Sequence, residues 1–150
     1  MQAINKNFLP WLNKAIPLTQ HMGIKNLYWQ ENNLIAQLSL PPLVNDKHTA
    51  FGGGVVGVAT LLGWCYTTLY LQGKNIHCPV VVKEASQSYL RPITSDFELV
   101  CSPASTADLA KFLAVYSDKQ KASLPLEVTA SCQNKAAFSF KATYVALASG

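Results

Sequence analysis

The stretch Asn45-Asp46-Lys47-His48-Thr49-Ala50-Phe51-Gly52-Gly53-Gly54, with the apolar run Val55 to Leu71 behind it, decides the fold. A polar loop feeds three glycines, and no charged residue follows until Lys74. The run holds Val55, Val56, Val58, Leu61, Leu62, Trp64, Leu69 and Leu71, with Ala, Thr and Gly filling every side. A helix that is apolar all round has to be buried on all sides. From Gly53 to Leu71 it would measure about 28 Å at 1.5 Å per residue. The pattern predicts one long central helix, closed by Gly73-Lys74-Asn75, that the remaining strands wrap around. Its first N–H groups have no partner within the helix, which suits an anion or a developing oxyanion.

Other readings of this stretch fit less well. A charge-free run of this length is long enough to cross a bilayer, and Gly53-x-x-x-Gly57 fits a packing motif within one. Against that, the run contains Thr60, Thr67, Thr68 and two tyrosines, and the rest of the chain reads as strands. A phosphate-binding P-loop is excluded because no Gly-Lys-Ser/Thr ends the glycine run. A dinucleotide fingerprint is poor, since no apolar strand leads directly into Gly52.

The 150 residues suit one domain over residues 1–150. Almost half are hydrophobic (49%) and only 13% are charged, a sparing surface that fits an oligomer. The formal charge of +4 comes from scattered lysines, which argues against nucleic acid as a partner. A mildly positive rim favours a phosphorylated ligand or an acidic carrier protein. Cys65, Cys78, Cys101 and Cys132 are too widely spaced for a metal site and read as small buried hydrophobes. The N-terminal residues lack the apolar core of a signal peptide, so a cytoplasmic, reduced protein is expected.

Along the chain, Ile4, Phe8, Leu9, Leu12 and Ile16 predict a short amphipathic helix, interrupted by Pro10 and ended near Pro17. Ile24 to Gln30 and Leu34 to Leu40 predict paired strands around Glu31-Asn32-Asn33. After the central helix comes a strand from Pro79 to Leu90. Simple alternation puts Val80, Val82, Glu84, Ser86 and Ser88 on one face of it, and Val81, Lys83, Ala85, Gln87 and Tyr89 on the other. A strand from Ser95 to Cys101 follows, and then a helix capped by Ser105 with Leu109, Phe112, Leu113 and Tyr116 on one face. The last two strands run from Leu126 to Cys132 and through Phe138, Phe140, Ala142 and Tyr144. Consecutive strands with short turns predict one antiparallel sheet curling around the helix, an α+β architecture.

These features resemble the hotdog fold of the acyl-CoA thioesterase superfamily. In one large branch the loop and helix read Asn, two residues, Gly, two residues, His-Gly-Gly, then Leu-Ala-Asp. Here Asn45 and Gly52-Gly53 match, whereas His48 replaces the family glycine, Phe51 the histidine, and Val58-Ala59-Thr60 the Leu-Ala-Asp. Tyr89-Leu90-Arg91-Pro92 is similar to the family's Tyr-x-x-Pro strand end, with Asp96 following. Thr49-Ala50-Phe51-Gly52-Gly53 with a later Gly63-Trp64 resembles the YiiD C-terminal type of thioesterase. The resemblance implies an antiparallel sheet around the central helix, a dimer or dimer of dimers, an acyl-CoA or acyl-carrier-protein thioester as partner, and no cofactor or metal.

Hydrolysis of a thioester requires a polarised carbonyl, a stabilised oxyanion and a delivered water. The Gly53 N–H is the expected oxyanion donor, and Gly52, Gly53 and Gly54 leave room for an acyl group to approach the main chain. Asn45 is expected to position water or hold the carbonyl. In the related branch the helix carboxylate acts across the dimer; Thr60, at that position, cannot take up a proton at neutral pH. The base must then come from elsewhere. His48 is one candidate, since imidazole titrates near neutrality, and a solvent-facing loop histidine is the alternative. Glu84 is another, an acid on an apolar strand face whose pKa burial would raise, against a solvent-facing or structurally paired Glu84. Phe51 would contact the acyl group, and Lys83 and Arg91, with Lys47, would meet phosphates. The departures from the motif leave two other functions open, a non-catalytic acyl-thioester binding or regulatory module, and a structural domain whose tunnel is filled by Phe51, Trp64 and Phe140.

Overall fold

The computed structural model describes residues 1–150. Its elements are β1 (Gln2–Ala3), α1 (Phe8–Ala15), β2 (Ile24–Gln30), β3 (Asn33–Leu38), α2 (Gly52–Gln72), β4 (Val80–Tyr89), β5 (Phe97–Pro103), α3 (Thr106–Lys119), β6 (Ala122–Cys132) and β7 (Lys135–Ala146). Seven strands form one sheet in the order β1-β2-β3-β5-β6-β7-β4. Every neighbouring pair is antiparallel. The sheet packs on α2, giving the α+β hotdog architecture.

Alternation builds the core. Leu124, Leu126, Val128 and Ala130 of β6 stand opposite Tyr144, Ala142, Phe140 and Phe138 of β7, and all eight are buried. α2 supplies Val55, Val58, Ala59, Leu61, Leu62 and Cys65 from the other side. The closest approach is at Gly63, where a Cβ would overlap the Tyr144 ring. The Tyr144 hydroxyl donates to the Thr60 carbonyl at 2.6 Å, tying the sheet to the middle of the helix. Burial pushes the Cys65 thiol far up, and burial, with Cys65 nearby, does the same to Cys101. Both are inert packing groups, as expected, whereas Cys78 and Cys132 are only half-buried.

The structure corrects several expectations. Pro10 does not interrupt α1: the helix starts after Asn7, so Pro10 falls in the first turn, where an N–H has no intrahelical acceptor. β6 starts at Ala122 and runs through Pro125. The Pro125 carbonyl accepts from Ala104, so its ring nitrogen faces the side on which β5 has already ended. α2 is not covered all round. Val56, Gly57, Thr60 and Trp64 form a half-buried stripe on its surface.

The largest correction concerns β4. Val82 pairs with Tyr144 and Glu84 with Thr143, so Lys83 is the extra residue of a bulge. Before the bulge Val80 and Val82 face α2; after it Ala85, Gln87 and Tyr89 do, opposite Ala142, Phe140 and Phe138. Glu84 is therefore turned to the outer face and is exposed. The reading that placed it on the apolar face with Val80 and Val82 fails by one residue of register. β4 also lies at the sheet edge with one free side, and Val81, Val82 and Tyr89 are about half-exposed (45%, 44% and 54%).

Candidate functional site at the N-terminus of the central helix

The approach to α2 is a small closed hairpin. Val44 and Ala50 form an antiparallel bridge, and the Asn45 N–H donates to the Thr49 carbonyl at 2.8 Å. Inside it, Asn45 Oδ1 accepts from the Lys47 N–H (2.9 Å), the Thr49 N–H (3.1 Å) and the Thr49 hydroxyl (3.2 Å). Asn45 Nδ2 lies 3.0 Å from Thr49 Oγ1. The two backbone donors fix which end of the amide points inward. Oδ1 is consumed by the loop, so Asn45 has a spare amide hydrogen to offer but no free acceptor for water. His48 holds the left-handed turn of the hairpin at φ 62° and is exposed. Asp46 and Lys47 pair with each other at 3.0 Å on the outside.

Two further contacts fix the end of the hairpin, one to the β4–β5 connection and one to the turn that precedes it. The Ala50 N–H donates to the Ile93 carbonyl at 2.9 Å, and the Phe51 N–H to the Leu43 carbonyl at 2.6 Å. Asp96 holds the preceding turn, accepting from the Leu40 N–H at 2.8 Å and from Lys25 Nζ at 3.0 Å. The Leu40 amide, and then Lys25, hold its carboxyl below the usual carboxylate range.

Phe51 is the N-cap residue and its side chain caps nothing. The N–H groups of Gly52, Gly53 and Gly54 find no acceptor in the protein. Unlike the expected open approach, each glycine already has a neighbour where its Cβ would be. The Tyr89 ring lies against Gly52 (3.1 Å), the Phe51 ring against Gly53 (2.8 Å) and Leu43 against Gly54 (3.1 Å). The Phe51 ring is half-exposed.

Beside this turn is a cavity of about 410 Å³ lined by Gly52, Val55, Tyr89, Arg91, Ile93 and Phe138, among others. Val55, Ile93 and Phe138 are buried and give it an apolar floor. Arg91 is its one charged wall residue, and no carboxylate or imidazole lines it. Tyr89, Ile93 and Phe138 were not singled out as site residues by sequence reasoning. The Tyr-x-x-Pro match and the alternation of β7 were the signals that pointed towards them.

The other candidates lie apart. Thr60 is about 10 Å along the helix from Gly53, with its hydroxyl bonded back to the Val56 carbonyl at 2.7 Å. Glu84 is about 16 Å along β4 from Tyr89 and on the opposite face, beside Lys141, Glu127 and Thr143. Lys83 lies about 20 Å along β4 from Tyr89, whereas Arg91 follows just past the end of that strand, so the two stand towards opposite ends of β4. Asn45, His48, Phe51, the three glycines and Arg91 do gather at one end of α2.

A family model described as "Putative thioesterase (yiiD_Cterm)" matches residues 6–148. The chain belongs to this family. Among solved structures, a protein of unknown function from Chlorobaculum tepidum TLS superposes with a TM-score of 0.86 and 28% identity, covering 95% of this chain and 93% of that one. A "putative thioesterase" from Shewanella oneidensis gives a TM-score of 0.77 and 27% identity, covering 91% and 92%. A mutant thioesterase from Pseudomonas aeruginosa shares the fold with a TM-score of 0.72 at 15% identity, covering 97% and 96%. The hairpin, glycine turn and cavity all fall within the region that the family model spans.

Proposed function

We propose that the protein hydrolyses acyl thioesters of CoA or an acyl-carrier protein, with water adding to the carbonyl and the thiol leaving. One observation carries this reading: the unpaired Gly52–Gly54 amides lie at a helix N-terminus, beside a cavity with an apolar floor. An acyl group would rest against Val55, Ile93 and Phe138. Its carbonyl would take a hydrogen bond from the Gly53 N–H and another from the spare Asn45 amide hydrogen. Arg91 at the rim would meet a phosphate of the carrier. His48 is the candidate base within the same hairpin, and Glu84 would act only towards a second chain.

Such a second chain is part of the reading. β4 presents ten residues of unpaired edge with half-exposed valines, and Trp64 of the half-buried α2 stripe donates to its Val80 carbonyl at 3.0 Å. A long bare edge of this kind is a template for strand addition. We propose a homodimer joined along β4, with a dimer of dimers as its larger form. Light scattering of Val82→Lys, expected to shift the wild-type dimer to monomer, tests the joint. The four free thiols suit a reducing compartment, and we place the protein in the cytoplasm.

The absence of an acid or imidazole from the cavity wall favours a second reading, a module that binds acyl thioesters without cleaving them. Thiol release from short- to long-chain acyl-CoAs and acyl-carrier thioesters separates the two. Hydrolysis that collapses in Asn45→Ala supports the enzyme and its site. Loss in His48→Ala assigns the base. Saturable binding with no thiol released from any substrate replaces the enzyme by the module.

A further inference from the structure

We infer that Tyr89 is a positioning residue that strengthens the Gly53 oxyanion donor through the Gly52–Gly53 peptide group. This rests on the thioesterase reading of the site. The Tyr89 hydroxyl donates to the Gly52 carbonyl at 3.1 Å. That carbonyl and the Gly53 N–H are the two ends of one conjugated amide. A hydrogen bond at the oxygen draws density away from nitrogen, raises the double-bond character of the C–N bond and leaves the N–H a better donor.

The surroundings serve this contact. The ring can lie on Gly52 only because no side chain is there; an added Cβ would come within 3.1 Å of Cε1. Phe138 holds the ring from the sheet side, with centroids 5.5 Å apart and planes at 53°. β4 delivers Tyr89 to this place because the bulge at Lys83 sets which of its later residues face α2. The hydroxyl proton is used on Gly52, so Tyr89 acts on the substrate through the peptide, whatever else it lines. A cooperative gain of about 10–30% on a donor whose removal costs about 10²–10³ in rate corresponds to about 1.6- to 8-fold in kcat.

Tyr89→Phe isolates the effect, because it keeps the ring, its packing and its ring current and removes only the hydroxyl. The Gly53 amide proton of the ¹⁵N-labelled protein is expected to move upfield, reporting a weaker donor with no substrate present. With acyl-CoA substrates, kcat is expected to fall about 1.6- to 8-fold, with KM and the shape of the pH profile unchanged. A Gly53 resonance that stays in place overturns the inference, as does an unchanged kcat. So does a rise in KM alone, or the loss of one limb of the pH profile, either of which would make Tyr89 a direct contact of the substrate. If the wild type cleaves no thioester, the hydrolase reading fails on its own, and the amide resonance still decides whether Tyr89 polarises this peptide.

Discussion

The N-terminal turn of α2 leaves the Gly52, Gly53 and Gly54 N–H groups without acceptors, whereas the C-terminal turn leaves little open. There the Gly73 N–H returns to the Leu69 carbonyl, and the Lys74 and Ile76 N–H groups both return to Leu71. Trp29 packs edge-on to Tyr66 at 4.9 Å, the Tyr66 hydroxyl donates to the Asn32 carbonyl at 2.7 Å, and Lys74 stands 5.7 Å over the Tyr70 ring. Cavities of about 410 and 400 Å³ adjoin the two ends, so empty volume does not distinguish them. What differs is the polar inventory. One end offers backbone donors at the positive pole of the helix and the other a cation at the negative pole. The first can hold a developing negative charge and the second holds the fold together.

Substitutions at each end can break that division. Tyr66→Ala removes a buried ring and its hydrogen bond, and is expected to cost about 3–5 kcal/mol in urea unfolding. Thioester turnover per folded molecule should stay at the wild-type level; a fall would mean that the C-terminal end also contributes to the site. Gly53→Pro attacks the other end. Proline is tolerated in a first helical turn but has no N–H, so turnover per folded molecule should drop by about 10²–10³, with the Phe51 ring displaced by the new Cβ. Equal activity would remove the Gly53 amide from the mechanism.

Smaller effects sharpen the contrast. Tyr66→Phe deletes only the hydroxyl and is expected to cost about 0.5–1.5 kcal/mol, read in the same denaturation. The N-terminal end should be the more acid-sensitive, through Asp96. Its folded pKa is depressed, so its stabilising contribution is complete above the ordinary value of 3.8 and is lost as pH falls through the lower folded value. Melting curves of wild type and Asp96→Asn should differ at pH 6 and converge in the acid range below that ordinary value. A constant gap at all pH values would show that the charge of Asp96 is not what holds Leu40.

Much of this was legible from residue pattern. The all-round apolar character of Val55 to Leu71 gave α2 to within about a residue at each end, because burial leaves a run with no charge to interrupt it. The gathering of Asn45, Phe51 and the glycines at one end followed from their adjacency in the chain. Three of the failures have their physical origin in pairing between distant segments. Two residues of β1 carry too little pattern to announce a strand, and they form one by pairing with Tyr28 and Trp29. The bulge at Lys83 is set by how β4 lies along β7, and alternation alone therefore put Glu84 on the wrong face. Tyr89 reaches Gly52 across 37 positions, a contact that no local spacing encodes.

The three glycines also bear on the order in which the molecule is assembled. Each forfeits about 0.8–1 kcal/mol of helix propensity relative to alanine, so the first turn of α2 has little tendency to form by itself. Leu43, Phe51 and Tyr89 hold it from outside, and two of these arrive on other segments of the chain. The rest of α2 can nucleate on Tyr144 and the apolar face of β6 and β7 before this turn is wound. The turn is thus wound last, when the Leu43 turn and the end of β4 close on it, and in native-state hydrogen exchange the Val55 N–H, bonded to the Phe51 carbonyl, should be the first amide of the helix to open.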